Sequence, residues 1–179
     1  LQIHVDGARI FNAAVALEVD VKDLVREVDS VMFCLSKGLS APVGSLVCGN
    51  KKFINKARKW RKMVGGGMRQ SGHLAAAGII ALNDLVDELK KDHFNAQVLA
   101  KGLARLNGIA LDPELVKTNI IFFNLKHPTL NPDTFLEKLE TQGITMLAIE
   151  PGVFRAVLHR EISESQIERV ISVSEEITK

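Results

Sequence analysis

VMFCLSKGLSAPVGSLVCG, residues 31–49, decides how this chain is read. Residues 31–35 form an apolar run of strand length that ends in Ser36 and Lys37. Gly38, Ser40, Pro42 and Gly44 are turn formers, and a second apolar run, residues 45–48, follows them. A lysine is costly to bury and easy to leave in solvent. Its place at the mouth of a strand, braced by a tight turn, needs a physical reason.

Working outward, residues 2–5 read as a short strand that ends at Asp6-Gly7. Residues 8–16 are helical in composition, and 22–28 continue an amphipathic helical stretch up to the strand at 31–35. Strand, helical connection and strand make a βαβ unit, whose crossover sets the two strands parallel. Lys37 follows Asp6 by 31 residues, close to the roughly 30 of one such unit. Downstream, residues 44–49 form a third strand, reached through a short turn and therefore antiparallel. A basic helix over 51–63, the triple glycine 65–67, a long helix over 71–89 and another over 93–106 complete this half.

The rhythm changes after Gly108. Residues 119–125 (NIIFFNL) read as a strand. Asn131-Pro132 is an N-cap followed by proline at the first helical position, opening a helix to about 142. Strands over 145–149 and 154–158 flank Pro151-Gly152, and SESQ at 163–166 is a capping box that starts the last helix. The expectation is an α/β large-domain portion over residues 1–92 and a small α+β domain over 93–179.

Composition narrows the class. The 179 residues are 46% hydrophobic and 25% charged, so a real core is expected. The 23 basic and 21 acidic residues are interspersed for a formal charge of +2, which argues against a nucleic-acid surface. No apolar run approaches the roughly 20 residues of a membrane span, so no membrane partner is expected. Cys34 and Cys48 sit in apolar runs and read as small buried hydrophobes, which fits a reducing, cytoplasmic compartment. The chain opens without methionine, directly in a strand pattern, and is read as a fragment.

Ligands of open α/β sheets bind at the carboxyl ends of parallel strands. Asp6 ends one strand, Lys37 ends the next, and Arg9 opens the connection between them, so three charged groups converge on one rim. Pyridoxal phosphate (PLP) chemistry needs such a set: an amine to form an imine with the aldehyde, and a carboxylate to keep the ring nitrogen protonated. An arginine near the ring oxygen would hold the electron sink in its acidic form. The same spacing also suits a plain Asp6–Arg9 salt bridge and a solvated Lys37. GGGMRQ (65–70) is either an anion site built from backbone N–H groups and Arg69 or a flexible connector. His4-Val5-Asp6 has no accompanying ligand cluster, so no metal is expected. His73, His93, His127 and His159 are scattered and read as structural or surface residues, and the basic helix around Trp60 as a solvated or interface face.

HVDGARIFNAA, VDSVMFCLSKGLSAPVGSLVCG and RKMVGGGMRQSGHLAAAGIIAL, continued by KTNIIFFNL and PGVFRAVLHREIS, closely resemble the threonine aldolase family. That family belongs to the PLP-dependent group of β-eliminating lyases and threonine aldolases. The resemblance implies part of the fold type I, aspartate-aminotransferase-like large domain with its small C-terminal domain, the amino-terminal part being absent. It implies that Lys37 bonds the PLP aldehyde, Asp6 pairs with the pyridine nitrogen, and Arg9 lies by the ring oxygen and substrate. Arg155 would grip the substrate carboxylate, and Arg69 would lie near the cofactor phosphate or a subunit contact. The implied activity is cleavage of L-threonine or L-allo-threonine to glycine and acetaldehyde by a homodimer or homotetramer. Its rivals are β-elimination on the same cofactor and a truncated product that keeps subunit contacts without turnover. Two residues depart from the family pattern: Ser40 stands where glycine is common, and Leu158 where threonine is. A serine forced into a left-handed turn position would cost on the order of 1 kcal/mol.

Overall fold

Strand β1 (His4–Asp6) and strand β2 (Ser30–Cys34) lie side by side in parallel, with Asp6 level with Met32. Between them run helix α1 (Ile10–Leu17) and the single-turn α2 (Val21–Leu24), as the βαβ reading expects. The amphipathic stretch expected over 22–28 stops after one turn. Asp20 caps its start by accepting from the Lys22 N–H at 2.8 Å, while Val25 leaves helical geometry at φ −119°. β3 (Ser45–Gly49) returns antiparallel along the other edge of β2, from Cys34↔Ser45 to Ser30↔Gly49. The computed structural model describes all residues, 1–179, and divides them into two units, Leu1–Leu89 and Lys90–Lys179.

In the first unit, α3 (Lys51–Met63) starts at Asn50, whose side chain accepts from the Phe53 N–H at 2.9 Å. Seven of its thirteen residues are Lys or Arg and none is acidic. Helix α4 (Gly72–Asp84) contributes small residues to the core. Ala81 is fully buried, and a Cβ on Gly78 would stand 3.0 Å from Leu35. The buried cluster is Leu35, Leu39, Ala41, Ala81 and Leu89, with Phe11 and Phe33 packed beside it edge to face at 5.2 Å.

Two expectations are corrected here. The helix expected over 71–89 ends at Asp84, and the next one, α5 (Leu89–Leu103), opens at Leu89 rather than His93. Asp84, Asp87 and Glu88 explain the break, because carboxylates oppose a helix C-terminus and favour the N-terminus that follows. The cysteines are not the buried pair the apolar runs implied. Cys34 is half-buried, Cys48 is exposed, and both are free, because every residue of β3 is open to solvent.

The second unit is built on an antiparallel sheet of order β4-β5-β7-β6, from β4 (Ile109–Ala110), β5 (Ile120–Leu125), β6 (Leu147–Glu150) and β7 (Val153–Val157). The two-residue β4 and a short 3-10 turn at Pro113–Leu115 carry too little pattern to read from sequence. Helix α6 (Pro132–Thr141) begins as expected, with Asn131 accepting from the Asp133 N–H at 2.8 Å. α7 (Glu164–Ile177) starts in the Ser163–Gln166 capping box. Strict alternation along β5 and β7 sends Ile121, Phe123, Leu125, Phe154 and Ala156 into the core. There Phe123, Phe135 and Phe154 pack with ring centroids 5.3–6.4 Å apart, each worth roughly 1.5–3 kcal/mol of burial. No helix is long and apolar enough to cross a membrane.

Candidate active site

Asp6 is the last residue of β1 and its side chain is exposed. Its Oδ1 accepts from the Ala8 N–H at 3.2 Å, so the carboxylate is tethered at the strand end. The chain then turns sharply, because the Gly7 N–H donates to the Met32 carbonyl of β2 at 2.9 Å. A Cβ on Gly7 would lie 2.9 Å from that same oxygen, so only glycine lets the chain hug its neighbour here. Arg9, half-buried, is the N-cap residue of α1. Tight turning after Asp6 therefore sets an acid and a guanidinium at one end of β1.

Lys37 stands three residues past the end of β2, exposed, on a loop whose backbone is fastened at several points. The Leu35 N–H donates to the Gly44 carbonyl at 2.9 Å, and the Ala41 N–H returns to the Leu35 carbonyl at 3.0 Å. Inside that closure, the Ser40 N–H donates to the Lys37 carbonyl at 2.9 Å. Leu35, Leu39 and Ala41 point into the core, each under 8% exposed, while Lys37 points out. A Cβ on Gly38 would meet Leu89 at 2.9 Å and the Asn12 side chain at 3.1 Å, which explains a glycine directly after the lysine. Ser40 does take the left-handed conformation, at φ 58°. The loop is thus a rigid mount for one amine.

Because β1 and β2 are parallel, Asp6, Arg9 and Lys37 all belong to the carboxyl-terminal end of the same strand pair. Arg69 lies in the connection between α3 and α4, exposed, after a helix end where the Gly66 N–H donates to the Arg61 carbonyl. Arg155 is in the second unit, half-buried at the centre of β7. The first unit therefore carries four of the candidate residues and the second carries one.

Asn12 had no place in the sequence reading. It is 3% exposed in α1, directly under Gly38. A single amide inside the apolar run IFNAAVAL was the available signal. On β1, His4 Nδ1 shares a hydrogen bond with the Ser30 hydroxyl at 2.8 Å. His127 accepts from the Leu130 N–H at 3.0 Å and organises a turn, His73 and His159 are exposed, and half-burial on α5 holds the pKa of His93 below its ordinary value.

The model of the beta-eliminating lyase family matches residues 1–126. This chain belongs to the beta-eliminating lyase family. Among its relatives, the Arabidopsis thaliana protein named probable low-specificity L-threonine aldolase 2 is 47% identical over 178 residues, or 99% of this chain and 50% of the relative. The low specificity L-threonine aldolase of Escherichia coli K12 is 42% identical over 170 residues, covering 95% and 49%. The chain thus spans about half the length of the curated relatives it matches. The solved threonine aldolase of Leishmania major superposes with a TM-score of 0.78 at 22% identity, over all of this chain and 52% of that one. The fold of this family member is that of fold type I PLP-dependent enzymes, of which it carries about half.

Proposed function

We propose that this chain is the lysine-bearing portion of a PLP-dependent aldolase that cleaves L-threonine or L-allo-threonine to glycine and acetaldehyde. One observation carries the reading: parallel neighbours β1 and β2 present an exposed carboxylate, Asp6, and an exposed amine on a fastened loop, Lys37, at the same end. These groups fit the two ends of a pyridine aldehyde, one needing a carboxylate and the other an amine.

In this reading Lys37 is the covalent anchor of the cofactor. Asp6 holds a proton at the ring nitrogen, and the Ala8 N–H keeps that carboxylate in place. Arg9 lies by the ring oxygen and the substrate, and Arg69 neutralises phosphate charge. Arg155 would take the substrate carboxylate through paired N–H donors, which suit that planar anion, and so orient the bound amino acid. When bound, PLP supplies the electron sink for the pair released as the Cα–Cβ bond breaks. The assembled enzyme is a homodimer or homotetramer acting on a small β-hydroxy amino acid.

One other reading has an observation behind it. The matched family's name favours β-elimination on the same cofactor. Acetaldehyde release separates the aldolase from a β-eliminating lyase, which releases a 2-oxo acid and ammonia.

The cofactor site is tested without turnover. The chain is incubated with PLP, reduced with borohydride and mapped by peptide mass spectrometry. A pyridoxyl adduct concentrated on Lys37 and lost in Lys37→Ala is expected. An adduct spread over the α3 lysines and unchanged in Lys37→Ala overturns the assignment.

A further inference from the structure

Arg155 sits in the middle of a three-residue row across the open face of the second unit's sheet. It is paired with Phe122 on β5 and with Leu147 on β6. Paired residues of antiparallel strands point to the same side, with Cβ atoms about 4.5–5.5 Å apart. Burial identifies that side: the alternate residues Phe123, Phe154 and Ala156 face the core, whereas Phe122 and Leu147 are both 55% exposed. The open face of an antiparallel sheet is ordinarily polar. Here a cation stands between an aromatic and an aliphatic side chain that have no core to fill.

We infer that Phe122 and Leu147 are positioning residues that form an apolar platform for the Arg155 guanidinium and present it to a carboxylate. The inference rests on the reading of Arg155 as the carboxylate-binding group and deepens it. A guanidinium is weakly hydrated on its flat faces and carries its donors around its edge. Set on both sides of Arg155 by the strand register, these apolar side chains would cover the faces and leave the edge available. They also narrow the conformations open to a long side chain, whose freedom would otherwise be lost on binding. By displacing water beside the ion pair, they strengthen its attraction to an anion. An arginine among polar neighbours would have none of these advantages.

The test uses the 179-residue chain and sodium acetate as the probe, at constant ionic strength held with chloride. The Arg155 Nε–H resonance, identified by its loss in Arg155→Lys, is followed by NMR. It is expected to move on titration in the parent protein. Phe122→Ala and Leu147→Ala should each raise the apparent Kd about fivefold, the scale of one cross-strand contact. Phe122→Leu should restore most of the affinity. Melting temperature should stay unchanged in all three, because both side chains are exposed. An unchanged Kd in both alanine variants overturns the platform and leaves Arg155 as a carboxylate site. No movement of the resonance in the parent overturns Arg155 and the platform together.

Discussion

Ser40 shows how much a single position costs to keep the Lys37 loop in shape. It holds φ 58°, where a side chain crowds its own backbone, and its hydroxyl reaches the Gly38 carbonyl only at 3.4 Å. Left-handed geometry disfavours non-glycine residues by roughly 1–2 kcal/mol, offset in part by the greater freedom glycine has when unfolded. Ser40→Gly should therefore stabilise the chain by about 1 kcal/mol in urea denaturation, at unchanged m-value. A loss of stability would mean that the hydroxyl contributes more than its long hydrogen bond indicates. Turn formers spaced around a lysine made this loop legible in sequence, and so did the strand run ahead of it. Asn12 and Leu89 were not legible as its supports, since their contact with Gly38 is a product of tertiary packing. The exposure of Cys48 was equally hidden, because an apolar strand pattern does not say whether anything covers it.

Among the elements, those with strong local signals keep the bounds that the sequence implied, and those decided by packing do not. Helix α3 runs over the expected residues because Asn50 caps it and the glycines 65–67 follow it. β6 starts at Leu147, two residues later than expected, since Thr145 and Met146 find no partner register on β7. One helix contact was also invisible from pattern alone. On α5, a Cβ at Gly102 would stand 2.3 Å from the Ile171 Cδ1 and 2.6 Å from its Cγ1. Both atoms belong to the half-buried Ile171 side chain, which a Cβ would have to push out of its present place, so glycine is what lets α5 and α7 pack there as they do. Gly102→Ala should destabilise the second unit by about 1–3 kcal/mol despite its better helix propensity. Gly102→Ala with Ile171→Val should recover part of the loss, and thermal melts of the two variants check it. Equal stability of Gly102→Ala and parent would show that the Ile171 side chain repacks at no cost.

At the scale of the whole chain, the two units differ in how completely each buries its own apolar residues. The second has a continuous core centred on Phe123, Phe135 and Phe154, with Leu99, Leu103 and Ile167 around it. The first buries a smaller set, Ile10, Ala14, Val31, Leu35, Leu39, Ala41, Ala81 and Leu89. It leaves Leu46, Val47, Trp60, Met63, Ile79 and Ile80 exposed. Its sheet has only three strands, so β1 and β3 are both edges with one row of backbone groups unpaired. Local opening is easiest where few apolar contacts and unpaired edges coincide. Native-state hydrogen exchange of the intact chain should therefore rank the amides in three tiers. The slowest should be those of β5, β7 and α6, and the fastest strand amides those of β1 and β3. β2, paired on both sides, should be intermediate. First-unit strands exchanging as slowly as β5 would contradict this ranking. They would mean that the exposed apolar residues of β3, α3 and α4 are covered in solution, since three strands and eight buried apolar side chains cannot supply that protection by themselves.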